Sequence, residues 1–181
     1  MSGFGASVKA EMKSKSWAVP AEGSGGETEL KSVFLHPGEM YASVEPANIT
    51  IILGSCVAVC LFNERLSVGG ATHYLLPTLG SEGLASPRYG DVAIRRLLQE
   101  LHLLGSRNKD LRACVFGGAS MLQAFRSGSS ELIGNKNVEL ALEVLARESI
   151  VIEKRDTGGV QSRKITMRTD TGAFSLKLIG N

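Results

Sequence analysis

No run of apolar residues in this chain approaches the ~20 that a membrane-spanning helix requires, so a membrane-inserted protein is not expected. The first residues, Met1 to Glu11, hold no apolar stretch of signal-peptide length, and nothing there marks the chain for export. Charge of one sign is also scarce: 20 basic and 18 acidic residues are scattered along the sequence, too evenly to form the basic stripe that nucleic acid demands. Lys9, Lys13 and Lys15 make a small cluster near the N-terminus, read as a solvated arm. The three cysteines have no paired spacing, which excludes a disulfide framework and suits a reducing compartment, the cytoplasm. A nucleotide loop is missing too. Gly117-Gly118 has the right place between a strand and a helix, but no Lys-Ser/Thr follows.

What is present suits one well-cored domain, because 181 residues are ample for one and short for two. Residues 1–30, rich in Gly, Ser, Lys and Glu with Trp17 as their one large apolar group, read as a flexible leader, and residues 31–181 as the domain. Short strands are predicted at Val33–Leu35 and Met40–Val44, around the turn His36-Pro37-Gly38-Glu39. Two apolar runs follow, Ile49–Leu53 and Val57–Phe62. The second is apolar on both alternating sets, the mark of a strand inside a layered structure. Val68–Leu76 returns as a strand whose Gly69-Gly70 pair signals close backbone approach or a bulge.

A helix is predicted over about 90–104, with Ile94, Leu97, Leu98, Leu101 and Leu104 at three- and four-residue spacing and Gly105 as its stop. Leu111–Phe116 reads as a buried strand, followed by a short helix holding Met121, Leu122 and Phe125. Ile133-Gly134-Asn135-Lys136-Asn137 reads as the cap of a helix with the stripe Val138, Ala141, Leu142 and Leu145. After a strand at Ser149–Lys154, the chain closes in a hairpin whose strands each have one wet and one buried face. The class expected is α/β or α+β, stacked sheets with helix cover.

Chemistry concentrates between Asn48 and Pro77. Cys56 sits on the glycine-led break Gly54-Ser55-Cys56 between two strand-like runs, where a thiol is lifted out of the packed layers and backbone amides are left to receive an oxyanion. Cys60 and Cys114 lie inside two-sided apolar runs, where burial raises a thiol's pKa and packing is the ordinary role. His73, on the next extended segment, is the candidate base and the partner expected to depress the Cys56 pKa. Thr50, six residues before the cysteine, is the candidate group to orient the imidazole. Zinc is the competing use of Cys56, Cys60 and His73, but a fourth ligand at a recognisable spacing is missing. No metal and no cofactor are expected.

These residues also carry a resemblance. Gly54-Ser55-Cys56-Val57-Ala58-Val59-Cys60, Gly69-Gly70, His73 and Leu76-Pro77 closely resemble the CheD family of chemoreceptor glutamine deamidases. The likeness continues through Arg88-Tyr89-Gly90-Asp91, Phe116-Gly117-Gly118-Ala119, Ile133-Gly134 with Asn137, Asp156, Gly158-Gly159 and Arg163-Lys164. It implies a layered sandwich of mixed sheets with helices on one side, like the catalytic domains of deamidating bacterial toxins. It further implies deamidation of glutamines on the cytoplasmic helical domain of methyl-accepting chemotaxis proteins, with Cys56, His73 and Thr50 as nucleophile, base and orienting hydroxyl. Gly54, Ser55, Phe116, Gly117, Gly118, Asn137, Gly158 and Gly159 are the expected oxyanion and substrate-binding set, the glycines forming walls that a helical partner can approach closely. Methylesterase activity on receptor glutamyl esters is the second reading, and a mainly regulatory role beside a CheC-type phosphatase the third.

Overall fold

The computed structural model describes residues 30–79, 84–120 and 129–179. Among these residues, nine strands and two α-helices stack in three layers, an α+β arrangement of two mixed sheets with helices on one side. One sheet has four strands in the order β1 (Lys31–Phe34), β3 (Ala47–Leu53), β8 (Ser162–Arg168), β9 (Phe174–Ile179). The other has five, in the order β2 (Glu39–Ser43), β5 (Val68–Tyr74), β4 (Val57–Asn63), β6 (Arg112–Gly117), β7 (Val151–Thr157). Only β1 with β3 and β6 with β7 run parallel; the other neighbours are antiparallel.

The strand with two apolar faces is β4, and its place explains its composition. Val57, Val59 and Leu61 point to the helices, packing with Ile94, Leu97 and Leu101 of α1 (Gly90–Leu103) and Ala141 and Leu145 of α2 (Ser129–Arg147). Ala58 and Cys60 point the other way, into a second core with Ile49, Ile51, Leu53, Phe116, Ile165 and Met167 between the sheets. Each fully buried aliphatic side chain there contributes about 1.5–3 kcal/mol relative to exposure. Together they hold the two sheets face to face around β4.

Close approach, rather than a bulge, is the use of the Gly69-Gly70 pair. A Cβ on Gly70 would stand 2.5 Å from the Tyr41 carbonyl oxygen and 2.9 Å from Leu97, so glycine lets α1 settle on β5. One expectation is corrected. Among the described residues the second helix already runs from Ser129, so Ile133–Asn137 lies inside it and caps nothing. Gly134 is tolerated in the helix because it crosses Gly118, where a Cβ would come within 2.8 Å of the Gly118 carbonyl oxygen. The leader and the segment holding Met121, Leu122 and Phe125 lie outside the described residues.

Candidate active site

The break Gly54-Ser55-Cys56 joins β3 in one sheet to β4 in the other, and it is pinned through its carbonyls. The Ala119 N–H donates to Gly54 O (2.8 Å), Asn137 Nδ2 to Ser55 O (3.2 Å) and the Gly118 N–H to Cys56 O (2.9 Å). Among the described residues, none of the N–H groups of Gly54, Ser55 and Cys56 donates to a backbone carbonyl. The break therefore offers donors and hides acceptors. Gly117 makes this possible, since at φ +110° it passes so close to Cys56 that a Cβ would run into the Cys56 carbonyl oxygen.

Cys56 is half-buried against the core between the sheets, on the side of Ala58 and Cys60. His73 stands directly opposite Ala58 in the β4–β5 ladder. Cys56 lies just before β4 on the side of Ala58, so thiol and imidazole both face the core between the sheets. The imidazole is 2% exposed. Its Nδ1 lies 3.0 Å from the Leu35 carbonyl oxygen. A carbonyl can only accept, so Nδ1 carries the proton and Nε2 is the free base. That Nε2 is buried and has no hydrogen-bond partner among the described residues.

Both groups are shifted toward their neutral forms. Burial pushes the Cys56 thiol above its ordinary value, while its own backbone N–H pulls it part of the way back. Burial likewise lowers His73; the Leu35 carbonyl opposes that, His36 adds to it, and Glu39 opposes it. This differs from the depressed thiol pKa expected from the sequence. The physical reason is that the pair is packed between two sheets, where desolvation penalises an imidazolium and a thiolate alike.

Thr50 is not brought to the imidazole by its hydroxyl. On β3 the residues Ala47, Ile49, Ile51 and Leu53 are buried, and Thr50 alternates with them, so its side chain turns to the other face. There Thr50 Oγ1 meets Thr166 Oγ1 at 3.2 Å. The connection to His73 runs through main chain instead: the Leu35 N–H donates to Thr50 O (3.0 Å), and Leu35 O receives the imidazole. A main-chain carbonyl has no residue signature, which is why Leu35 was not legible as part of the site.

The expected walls divide. Phe116 is 1% exposed and packs on Phe174 with centroids 5.1 Å apart, so it is floor rather than contact surface. Gly118, at φ +66°, faces the protein: a Cβ there would stand 2.5 Å from Val138 Cγ2 and 2.9 Å from Gly134 O. Its small size serves helix packing, and the expectation that it admits a partner is corrected. Gly158 and Gly159 do face open space, at φ +75° and +70°. They are tied to the site by Gly158 N to Gly117 O (2.9 Å) and Ser120 N to Gly159 O (2.7 Å).

Asn137 is fully buried; its side-chain Nδ2 donates to Ser55 O and Leu75 O (2.8 Å), and its main-chain carbonyl accepts from the Tyr74 hydroxyl (2.6 Å). Arg163, to which no role was given, holds the turn at Gly158. It is 5% exposed and reaches Asp156 (2.6 Å), Gln161 O (3.2 Å) and Gly158 O (2.7 Å). A signal for it exists in the sequence, because Arg163 shares the apolar side of β8 with Ile165 and Met167. Among the described residues, no helix is long and apolar enough to cross a membrane, and no three His, Cys, Asp or Glu side chains gather as a metal site would require.

Comparison with known proteins agrees in one direction. The family model described as CheD chemotactic sensory transduction matches residues 75–178. A Sulfurimonas denitrificans protein named "Probable chemoreceptor glutamine deamidase CheD" is 37% identical over 151 residues, 83% of this chain and 96% of its own length. A Trichlorobacter lovleyi protein of the same name is 43% identical over 81% of this chain and 90% of its own. "Probable chemoreceptor glutamine deamidase CheD 1" of Anaeromyxobacter dehalogenans is 42% identical over 86% and 90%.

Proposed function

Since the chain belongs to the CheD family, we propose that it is a chemoreceptor glutamine deamidase in which Cys56 is the nucleophile and His73 the general base and acid. One observation carries the assignment of the residues. Among the described residues, the one thiol at a break whose amides donate to no backbone carbonyl shares a face with an imidazole whose Nδ1 is already held and whose Nε2 has no partner.

The reaction follows from that arrangement. With both groups neutral at rest, Nε2 of His73 takes the Cys56 proton as sulfur adds to the side-chain amide carbon of the glutamine. The oxygen of the tetrahedral adduct becomes an anion, and the N–H groups of Ser55 and Cys56 receive it; one such donor is worth about 3 kcal/mol. Collapse of the adduct breaks the C–N bond, and imidazolium supplies the proton with which ammonia leaves. Water, deprotonated by the same nitrogen, then hydrolyses the thioester to glutamate and frees the thiol. Leu35 O stabilises the imidazolium through Nδ1, as a carboxylate does in other triads. Thr50 acts at one remove, its carbonyl holding the Leu35 amide.

The substrate is glutamine displayed on folded receptor helices in the cytoplasm. The open glycine turn at Gly158-Gly159 beside the site suits a protein surface, and remote contacts with a helix contribute to transition-state binding. The test is ammonia release from a receptor cytoplasmic fragment, its unfolded peptide and free glutamine, with intact protein and with Cys56→Ala. Release from the folded fragment alone, lost in the variant, is the expected result. Equal rates on all three substrates would make the protein a general amidase, and an active Cys56→Ala would remove the thiol from the mechanism.

A further inference from the structure

The three carbonyls of the Gly54-Ser55-Cys56 break are held by three different donors, and only one of those donors is a side chain. Gly54 O and Cys56 O are fixed by backbone N–H groups of Ala119 and Gly118, which any sequence would supply. Ser55 O is fixed by Asn137 Nδ2. Asn137 stands on α2, on the helix side of the five-stranded sheet, where its main-chain carbonyl accepts from the hydroxyl of Tyr74, itself part of the core under the helices. The Cys56 side chain packs on the opposite side, with Ala58 and the core between the sheets. No peptide bond among the described residues is cis. In a trans peptide the carbonyl of one residue and the N–H of the next point in opposite directions. A Ser55 carbonyl drawn toward α2 therefore turns the Cys56 N–H away from α2, toward the side where thiol and imidazole meet.

We infer that Asn137 is the positioning residue of the oxyanion site: it does not touch substrate but locks the Ser55–Cys56 peptide in the orientation that aims the Cys56 N–H at the developing anion. The second bond of the same amide, to Leu75 O, makes the lock rigid, because it ties the break to the chain immediately after β5, the strand that carries His73. Without these donors the Ser55 carbonyl is released on a glycine-flanked segment, and a rotated peptide would present carbonyl oxygen, the wrong sign of charge, to the anion. Preorganised donors of this kind stabilise the transition state because they need no reorientation during the reaction.

The inference rests on Cys56 being the nucleophile, and its test separates the two. Asn137→Leu keeps the volume and removes both donors; Asn137→Asp keeps the shape and removes them when ionised. Deamidation passes through an oxyanion, whereas alkylation of Cys56 by iodoacetamide is displacement at a saturated carbon and needs none. In either variant kcat should fall about 10²–10³-fold with KM little changed, while alkylation of Cys56 in folded protein slows far less, by no more than the loss of its own N–H from the thiolate entails. A crystal structure of the variant should show the Ser55–Cys56 peptide rotated. Loss of kcat and alkylation in parallel, or an unrotated peptide with unchanged kcat, overturns the role of Asn137. Should Asn137→Leu fail to fold, Asn137→Asp carries the same comparison. If Cys56→Ala still deamidates, the proposed nucleophile fails instead; the rotated or unrotated peptide then still decides what Asn137 holds.

Discussion

Cys56 and the pair Cys60 and Cys114 face the same core between the sheets, and their surroundings differ in the way the proposed roles of reactive and structural sulfur require. Cys60 and Cys114 are direct partners across the β4–β6 ladder, so the backbone around each is committed to strand pairing. Burial pushes Cys114 up to about 11, and Cys60, deeper, further still. Cys56 sits just before the first residue of the same strand, where the carbonyls are held from outside the ladder and the amides are left over. Its thiol is also raised by burial. On the proposed mechanism, what distinguishes Cys56 is not a resting thiolate but the groups that surround it: an imidazole nitrogen to take its proton and amides to receive an anion.

The largest expected effect breaks the comparison outright. Cys56→Ala should reduce deamidation to background with the fold intact, whereas Cys114→Ala should keep activity and cost about 1 kcal/mol of stability for a small cavity. Thermal unfolding and ammonia release on both variants check this. A Cys114→Ala protein as inactive as Cys56→Ala would mean that the two sulfurs are not separable.

Next comes the base. His73→Gln removes the proton carrier and should lower kcat about 10²–10⁴-fold. Because burial lowers the His73 pKa, the neutral base persists below the ordinary histidine value of about 6.5. The acid limb of the deamidation profile should therefore lie below pH 6.5, and an acid limb above it would mean that the imidazole is not desolvated in solution. The thiol gives the complementary measurement. Since Cys56 is raised, its alkylation rate should keep climbing through pH 9, still ahead of Cys114 because less of its environment must open. A plateau at neutral pH would reveal a resting thiolate–imidazolium pair.

Two glycine pairs sharpen the picture at intermediate size. Gly118→Ala forces a Cβ against Val138 and the Gly134 carbonyl at a positive φ, and should cost on the order of 1–3 kcal/mol. Gly159→Ala meets open space, so its cost is limited to roughly 1 kcal/mol from its positive φ. Unfolding midpoints should rank the two in that order, and deamidation of folded receptor should be more sensitive to a bulky residue at 159 than alkylation of Cys56 is.

Much of this was readable from residue patterns, and the failures have identifiable causes. The two-sided apolar run of β4, the break at Cys56 and the alternation in β8 are where the spacing puts them, whereas on β9 the expected buried face is only half-buried at Phe174 and Leu176 and exposed at Leu178. The start of α2 was misplaced because Gly134, Asn135 and Asn137 look like capping chemistry, while the reason for a glycine inside the helix, contact with Gly118, lies in a distant part of the chain. Leu35 was invisible because its contribution is a carbonyl. The side of β3 on which Thr50 lies was obscured by Ile52, an apolar residue that is 45% exposed on the same face.

That last point yields the smallest expected effect. If Thr50 supported His73 through its hydroxyl, the nearly isosteric Thr50→Val would cripple the enzyme and Thr50→Ser would rescue it. In the structure the hydroxyl bonds Thr166 on the outer face, and only the Thr50 carbonyl, which every residue possesses, serves the Leu35 amide that buttresses the imidazole. Valine keeps that carbonyl and suits a strand. Both substitutions should then leave kcat within a few-fold of the original, Thr50→Val losing at most the ~1 kcal/mol of stability that one partly exposed hydrogen bond contributes. Disturbing the relay itself should do more: Leu35→Pro removes the N–H that Thr50 O accepts, and should lower kcat beyond what its loss of stability explains. A Thr50→Val enzyme with kcat down a hundredfold while Thr50→Ser stays active would show that the hydroxyl turns inward during the reaction, and the main-chain relay would be wrong.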